Sequence, residues 1–446
     1  MKRNPFTNLF KVDESYWLLV LPVLYATIPW FQYRVRALIP FAFAMLWLMP
    51  KIPSIAKKMH TYEGRAFFKV LLWYVLLVFI QELFAVFGSQ KHMKYYQIAT
   101  ITTSVIFFLV AFYTIAYHKF SELRFLTVVT IGGFILAGMM AFRGLGVVGM
   151  ESARVMMSLQ DSMNSQVPNA AAKAVIEYGL GGYSHVYNCA WLAGIAMLAF
   201  VISKDTRLKV FYVLLAVSTI ISVKVGGLAT PFGIVVIEAM IFLIWLKTRS
   251  RKVILISGYI IVILFFLYAN TPQVFSFLIK PLNSLAQNMS DGSIKLRVVS
   301  VVESFNGEVS YADTRAQMQL KSFRTFCRHP FFGTFGPFTG GSQLDLGGHS
   351  YLLDLLGGYG LFGLFVFAMF MGAMLKYFSV LGDLYLGSKW LVIPVFFMSV
   401  FLFSSIMNPV TFFANSVYLL PGIAYLSELH TELPMVAREL PIVEVK

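Results

Sequence analysis

Residues 313–367 concentrate the side chains that could bind or transfer a charged group. The segment carries Arg315, Arg324 and Arg328, then a turn at Pro330–Gly333, and it presents His349 at the start of a long apolar run. Arginine forks bind phosphate through paired hydrogen bonds and stay charged at any working pH. A neutral imidazole can accept a proton from a sugar hydroxyl near pH 7. These residue types favour chemistry on a phosphate-bearing substrate.

Two further cations could join this group. Arg297 lies upstream in the same polar segment, and Lys224 lies near the end of an apolar run. An ammonium inside a helical bundle can face an anionic ligand, and the alternative is that it reaches out to the membrane surface. For the arginines the alternative is contact with lipid headgroups, and for His349 it is capping of the helix that follows.

The composition places most of the chain in a membrane. Of the 446 residues, 58% are hydrophobic, 16% are aromatic and only 13% are charged, and the mean hydropathy is +0.73. A soluble domain carries about 25% charged residues. Repeated apolar runs of about 17–25 residues predict an all-α polytopic membrane protein with about twelve transmembrane helices, of which the first covers 15–31, the ninth 253–270 and the tenth 350–375.

The positions of the loops predict the domain organisation. Lysine and arginine fall mostly in the loops that share a side with both termini, which assigns the termini to the cytoplasm and explains much of the net charge of +15 without nucleic acid. The predicted order is transmembrane helices 1–5 over 1–143, an external loop over 144–184, helices 6–9 over 185–270, a large external loop over 271–349, helices 10–12 over 350–428, and a cytoplasmic tail over 429–446.

The second external loop contains a predicted amphipathic helix. Asp313 or Thr314 would cap its start, and Pro330 and Gly333 would end it. The spacing predicts two faces, of which one is apolar and one basic. The apolar face holds Leu320, Phe323 and Cys327, and the basic face holds Lys321, Arg324 and Arg328.

No nucleotide or metal motif accompanies these residues. The chain has no P-loop, no HExxH sequence, no paired cysteines and no acidic cluster with the spacing of a cation site. Its two cysteines, Cys189 and Cys327, lie far apart in the sequence. The sequence therefore predicts neither a metal nor a cofactor.

Residues 315–363 resemble the motif of the O-antigen ligase and polymerase superfamily. That motif has an arginine, a His-Pro-x-x-Gly turn about one helix later, and a histidine that opens a helix reading H-x-x-L-x-x-x-x-x-x-x-G-x-x-G. The matching positions are Arg315, His329, Pro330, Gly333, His349, Leu352, Gly360 and Gly363. The chain departs from the family at Lys224, near where an arginine is frequent, and at Gln319, where an aromatic residue is frequent.

The resemblance implies a metal-independent, inverting glycosyltransferase of the multi-spanning GT-C type. Its expected site lies on the outer side of the bacterial inner membrane, where it acts on a glycan linked to undecaprenyl pyrophosphate. His349 would orient or deprotonate the acceptor hydroxyl, and Arg315 would neutralise the leaving pyrophosphate. The other expected pyrophosphate-binding residues are Arg297, Arg324, Arg328 and Lys224. The implied partners are the lipid-linked donor, the glycan acceptor, the bilayer and a chain-length regulator protein, with no nucleic acid.

Three alternatives compete within and beyond that family. The loop at 144–184 favours a polymerase, which joins repeat units on the carrier, over a ligase, which moves finished polymer to lipid A–core. A transporter of lipid-linked oligosaccharide would be expected to show two related halves, which this sequence lacks. It would also carry more mid-helix charges than Glu82, Glu238 and Asp354. A non-enzymatic scaffold would leave the arginine and histidine constellation unexplained.

Overall fold

The structure is a computed structural model of the protein. It describes residues 11–87, 95–144, 177–226, 228–248, 277–288, 311–334, 350–408 and 413–427, together with 260, 295, 298–299, 302–303 and 346–347. Side chains are described in these ranges except at 81–87, 95–103, 229, 311–316 and 388.

The described residues form α-helices and no strand, as expected for a chain that must satisfy its backbone hydrogen bonds inside a bilayer. The helices are α1 Val20–Thr27, α2 Pro29–Arg34, α3 Leu38–Leu48, α4 Ile52–Lys58, α5 Tyr62–Phe87, α6 Tyr95–Ala116, α7 Phe120–Gly144, α8 Tyr183–Ile202, α9 Thr206–Gly226, α10 Ala229–Thr248, α11 Ile279–Gln287, α12 Tyr311–Arg328, α13 Tyr351–Leu381, α14 Val392–Met407 and α15 Ser416–Leu426.

Within the described ranges, seven segments are long and apolar enough to cross a membrane. They are Leu38–Lys58, Phe120–Gly144, Tyr183–Ile202, Thr206–Gly226, Thr230–Thr248, Tyr351–Leu386 and Lys389–Met407. Two shorter apolar helical segments, Ser104–Ala116 and Ser416–Leu426, accompany them. The prediction of an all-α, multi-pass membrane protein is confirmed at this level. The number of twelve spans stays a prediction, and the predicted helix at 253–270 lies outside the described residues apart from residue 260.

The predicted first helix, 15–31, is broken into three pieces. A 3₁₀-helix covers Glu14–Leu19, α1 follows it, and α2 begins at Pro29. Ile28 between them has φ −110° and ψ 110°, which is extended backbone. Because the proline ring clashes with a helical conformation of the residue before it, the helix stops at that point.

Helix α8 lies at the centre of the described bundle. Small residues on it, including Ala190, Ala193 and Gly194, are fully or almost fully buried, and they let neighbouring helices approach closely. Trp191 packs edge-on against Phe397 and Phe401 of α14, and its indole N–H donates to Ser404 Oγ at 3.0 Å. These contacts fix α14 against α8.

Two ends of the bundle can be distinguished by which helices begin there. The Tyr183 hydroxyl, at the start of α8, donates to Asn408 Oδ1 at 3.1 Å, and the Asn408 carbonyl accepts from Tyr351 N–H at the start of α13. We call this the network end. Helix α7 begins at the other end, where Lys119 forms an ion pair with Asp13 at 3.0 Å. We call that the ion-pair end.

Candidate functional site

Helix α12 buries its polar side and exposes its apolar one. Gln319, Ser322 and Thr325 are buried, whereas Leu320 is 41% and Phe323 is 44% exposed. This reverses the usual arrangement of an amphipathic helix on a soluble core. The helix begins at Tyr311, two residues before the predicted cap at Asp313, and it ends just before Pro330 as predicted.

The buried polar side of α12 meets a carboxylate at the start of α13. Ser322 Oγ donates to Asp354 Oδ1, and it accepts from Gly347 N–H at 2.8 Å. Asp354 Oδ2 accepts from Ser350 N–H at 3.2 Å. Ser322, Ser350 and Asp354 are all almost fully buried. We call Ser322, Gly347, Ser350 and Asp354 the serine–aspartate network.

The same network begins helix α13. Ser350 is the N-cap, and its hydroxyl accepts from Leu353 N–H at 3.2 Å, which satisfies one of the free N–H groups of a helix N-terminus. Asp354 also places a negative charge in the first turn, where the helix dipole favours it. Because α13 starts at Tyr351, Asp354 lies in the first turn of the helix and is not the mid-helix charge that the sequence predicted.

The His-Pro-Phe-Phe-Gly turn inserts its backbone into a break in α13. In an unbroken helix, Leu361 N–H would donate to the Gly357 carbonyl. Here it donates to the Pro330 carbonyl at 2.7 Å, while the Gly357 carbonyl accepts from Thr334 N–H at 3.2 Å. Phe362 N–H likewise donates to the Phe331 carbonyl at 3.1 Å. The turn therefore supplies the partners that the broken helix loses.

Glycine is required at both sides of this contact. Gly360 has φ 64° and ψ −154°, a combination that is essentially restricted to glycine. A Cβ atom there would lie 2.4 Å from the Phe331 carbonyl carbon. Gly333 has φ 68°, and its Cβ would lie 2.2 Å from the Gly358 carbonyl carbon. Two of the three glycines of the sequence motif, Gly333 and Gly360, thus lie on opposite sides of one backbone contact.

The predicted catalytic residues fall at the margin of the described region. His349 and Arg297 lie outside the described residues; in the sequence, His349 directly precedes Ser350. The backbone of Arg315 belongs to α12, and its side chain is outside the described set. Residues four and seven apart share a side of a helix. The register therefore places Arg315 on the side of α12 that holds Gln319 and Ser322.

The helix separates Arg315 from the other arginines predicted to bind the same pyrophosphate. Arg324 lies nine residues later, which is about 13.5 Å along the axis and about half a turn around it. Arg324 and Arg328 are both exposed, and they lie on the side of α12 away from Ser322. Binding of one pyrophosphate by all three arginines therefore stays a prediction.

Lys224 lies at the network end, apart from α12. It is exposed near the end of α9, between the buried residues Val223 and Val225. Val225 packs with Ala141 and with Leu180, which precedes α8. The structure thus brings Lys224 to the end of the bundle where α8 and α13 begin.

Sequence reasoning missed Ser322 and Ser350 and misplaced Asp354. A signal was present: the Ser350–Asp354 pair resembles a helix capping box with one extra residue. Ser322, by contrast, has no sequence signal, because its partner lies 32 residues away. Among the described residues, no three His, Cys, Asp or Glu side chains are grouped so that they could hold one metal ion.

The fold and the site together define an all-α protein with several apolar helices fit to span a membrane, and with a polar network at one end of the bundle. No protein-family model matches the chain, and a search of the curated proteins found no match.

Proposed function

We propose that the protein is an inverting glycosyltransferase of the GT-C type that polymerises oligosaccharide units linked to undecaprenyl pyrophosphate. In this proposal it has about twelve spans in a bacterial inner membrane, with the network end on the external side. A sugar hydroxyl of the acceptor attacks the anomeric carbon of the donor. The bond from that carbon to the pyrophosphate oxygen breaks, and the lipid pyrophosphate leaves.

One observation carries the proposal: the contact between Ser322 and Asp354 joins the two halves of the motif. Ser322 shares a side of α12 with the register position of Arg315. Asp354 accepts a hydrogen bond from the N–H of Ser350, which directly follows His349 in the sequence. This contact supports the proposal because, in the sequence, the motif histidine directly precedes Ser350 and the motif arginine precedes Ser322 by about two helical turns. The inserted turn at Gly360 gives the same two segments a second contact.

The proposed roles follow from this arrangement. His349 accepts the proton of the acceptor hydroxyl as the new glycosidic bond forms. Arg315 neutralises the charge that develops on the departing pyrophosphate, a task for a fixed cation. Lys224 lies at the same end of the bundle and is proposed to attract the anionic donor. Arg297 keeps its proposed place as a pyrophosphate ligand. Arg324 and Arg328 lie on the opposite side of α12 from Ser322.

The proposal is tested by deleting the gene in its host and restoring it as wild type, His349→Ala, Arg315→Ala or Arg207→Ala. Arg207 is the matched control, since it is an exposed arginine at the start of α9, at the ion-pair end. Surface glycan and carrier-linked glycan are compared on gels, with protein amounts measured by immunoblot. We expect the His349→Ala and Arg315→Ala variants to leave surface glycan of a single repeat unit. The Arg207→Ala variant should restore the ladder of glycan lengths seen with wild type.

Two other results would each replace the proposal. Loss of all surface glycan, with long polymer accumulating on undecaprenyl pyrophosphate, would make the protein a ligase. A normal ladder in the deletion strain would exclude both enzymes and favour a transporter or a scaffold. A normal ladder with the His349→Ala variant alone would remove that residue from the mechanism.

A further inference from the structure

The exposed side of α12 carries an apolar strip next to a basic strip. The apolar strip is formed by Leu320, Phe323 and Cys327, which are all exposed. Arg324 and Arg328 are exposed beside it, one helical turn apart, and Lys321 is partly exposed on the same flank. The third side, with Ser322, is occupied by α13. The two exposed strips therefore lie on the sides of α12 that face away from α13.

The apolar strip continues onto the surface of a membrane span. Phe331 and Phe332, in the turn after α12, are 68% and 56% exposed. The ring of Phe332 lies 6.1 Å from the ring of Phe362 on α13. From there Phe362, Phe365 and Met369 stay exposed along α13, which belongs to the candidate span Tyr351–Leu386. Exposed apolar side chains on a span face acyl chains, so the strip on α12 is continuous with a lipid-facing surface.

We propose that α12 lies in the plane of the membrane at the network end, docked on the phospholipids of the adjacent leaflet. Leu320, Phe323 and Phe331 contact the acyl chains, and Arg324 and Arg328 bind the phosphate groups of the lipids. A helix with aromatic and leucine residues on one strip and cations beside it has the composition that binds at this boundary. The basic strip adds attraction to anionic lipid, and arginine binds phosphate through paired hydrogen bonds.

This docking would set the depth of the site. Because Ser322 of α12 is bonded to Asp354, a helix held at the lipid phosphates holds the serine–aspartate network at the same level. If the proposed function is correct, a pyrophosphate carried on a lipid would then reach Arg315 without leaving the membrane surface. That last step rests on the proposed function, whereas the docking of α12 does not.

The native cysteines allow a direct test on the full chain. The sequence has two cysteines, of which Cys327 is exposed in the apolar strip and Cys189 is fully buried. A nitroxide is attached to Cys327 in proteoliposomes of phosphatidylethanolamine and phosphatidylglycerol, and the Cys327→Ser variant checks that Cys189 takes no label. The ratio of collision with oxygen to collision with a water-soluble nickel chelate then reports the depth of the label.

Two reference positions calibrate the depth, each in the Cys327→Ser background. Val213→Cys lies on the span of α9 and is 44% exposed, and Glu14→Cys is exposed outside the spans. We expect the Cys327 ratio to be roughly threefold or more above the Glu14 value and below the Val213 value, as for a helix at the acyl–headgroup boundary. A Cys327 ratio equal to the Glu14 value would overturn the docking.

The cations are tested with the same label. Replacing phosphatidylglycerol with neutral phosphatidylcholine should lower the Cys327 ratio about twofold, because the attraction to anionic lipid is lost. In a protein carrying Arg324→Gln and Arg328→Gln the ratio should no longer depend on the lipid. An equal dependence in both proteins would remove these arginines from the proposal.

The alternative to lipid is that the apolar strip contacts a second copy of the chain. Dipolar broadening between labels on two Cys327 residues would assign the strip to that contact and overturn docking on lipid. None of these measurements requires turnover. Interfacial depth in a protein without transferase activity would refute the proposed function alone, and an aqueous label in an active enzyme would refute the docking alone.

Discussion

The two ends of the bundle treat their charged and polar groups differently. At the ion-pair end, lysines lie over aromatic rings: Lys51 is 4.9 Å from the Trp47 ring, and Lys58 is 5.3 Å from the Tyr117 ring. At the network end, polar side chains bond to one another inside the protein, and the arginines of α12 lie outside. At the ion-pair end, packing against aromatic rings accounts for these lysines. The network end places arginines at the protein surface, beside a buried polar network.

The carboxylates show the same contrast. Asp13 is 40% exposed and bonded to Lys119, and the hydrogen bond from Lys119 lowers the pKa of Asp13 to about 2. Asp354 is 2% exposed, and its described hydrogen bonds come from a serine hydroxyl and a backbone N–H. The ion pair holds two loops together at a surface, whereas Asp354 organises the start of a membrane helix. Substitutions at the two ends should therefore differ in size.

The largest loss of stability is expected from a substitution at the break in α13. Gly360→Ala would force a side chain into backbone that favours glycine, at about 1–3 kcal/mol. Its Cβ would also clash with the Phe331 backbone, which adds about 1–3 kcal/mol or more because backbone cannot move aside as a flexible side chain would. Gly372→Ala on the same helix is the control, because a Cβ there meets nothing within 4 Å. We expect a clear fall in the thermal unfolding midpoint in detergent for Gly360→Ala, and no change or a slight rise for Gly372→Ala. Equal midpoints would show that the turn is not held in the break.

The next effect compares the two carboxylates directly. Asp354→Ala leaves the Ser322 hydroxyl and the Ser350 N–H without their acceptor, at a cost of about 1–3 kcal/mol for each buried group. Asp13→Ala removes a partly exposed ion pair, which is worth at most about 1 kcal/mol. In detergent, the thermal unfolding midpoint of Asp354→Ala should be well below that of Asp13→Ala, and the midpoint of Asp354→Asn should lie between them. The reverse order would contradict the distinction between the ends.

A smaller effect is expected from a single lysine at the ion-pair end. Lys58→Gln removes a cation from above the Tyr117 ring, which should cost about 0.5–1 kcal/mol. Lys57→Gln, at the adjacent and exposed position of α4, is the control. The unfolding midpoint should fall for Lys58→Gln alone, and under the proposed function the glycan made by both variants should be that of wild type. Loss of synthesis with intact protein would extend the functional site to this end.

The smallest effect concerns acid stability. Because the pKa of Asp13 falls from 3.8 to about 2 on folding, its contribution is complete above about pH 4 and is lost as the pH falls through about 2. Wild type should therefore exceed Asp13→Asn in unfolding midpoint at pH 5, and the difference should shrink toward pH 2. Glu14→Gln is the neighbouring control. A difference independent of pH would mean that the carboxylate charge does not stabilise this end.

The sequence predicted the fold class because composition decides it. Apolar runs without charges have to be helices in a bilayer, since no other open structure satisfies the backbone. The end of α12 at Pro330 was also predicted, because proline chemistry is local. The break at Ile28 was not predicted, although Pro29 carried the local signal, whereas the start of α13 at Tyr351 lies one residue from the predicted start at 350. Hydropathy alone identifies an apolar segment but does not show where the helix within it is interrupted.

The site was predicted only in part. Residue types and spacing directed attention to Arg315, the His-Pro-x-x-Gly turn and His349, and the structure joins the segments around them. Spacing also predicted two faces for α12, but not that a third, polar face would be the buried one. That outcome depends on what α13 offers, namely Asp354 and the free backbone groups around Gly360.

The sequence by itself determined that this chain is a helical membrane protein and that Arg315, His329, Gly333, His349 and Gly360 follow one another between residues 313 and 367. Only the tertiary structure decided which side of α12 turns inward, and that Gly333 and Gly360, two of the three motif glycines, lie on opposite sides of one backbone contact. The reason is physical. Helix formation depends on residues a few positions apart, whereas the orientation of a helix depends on hydrogen bonds to partners more than thirty residues away.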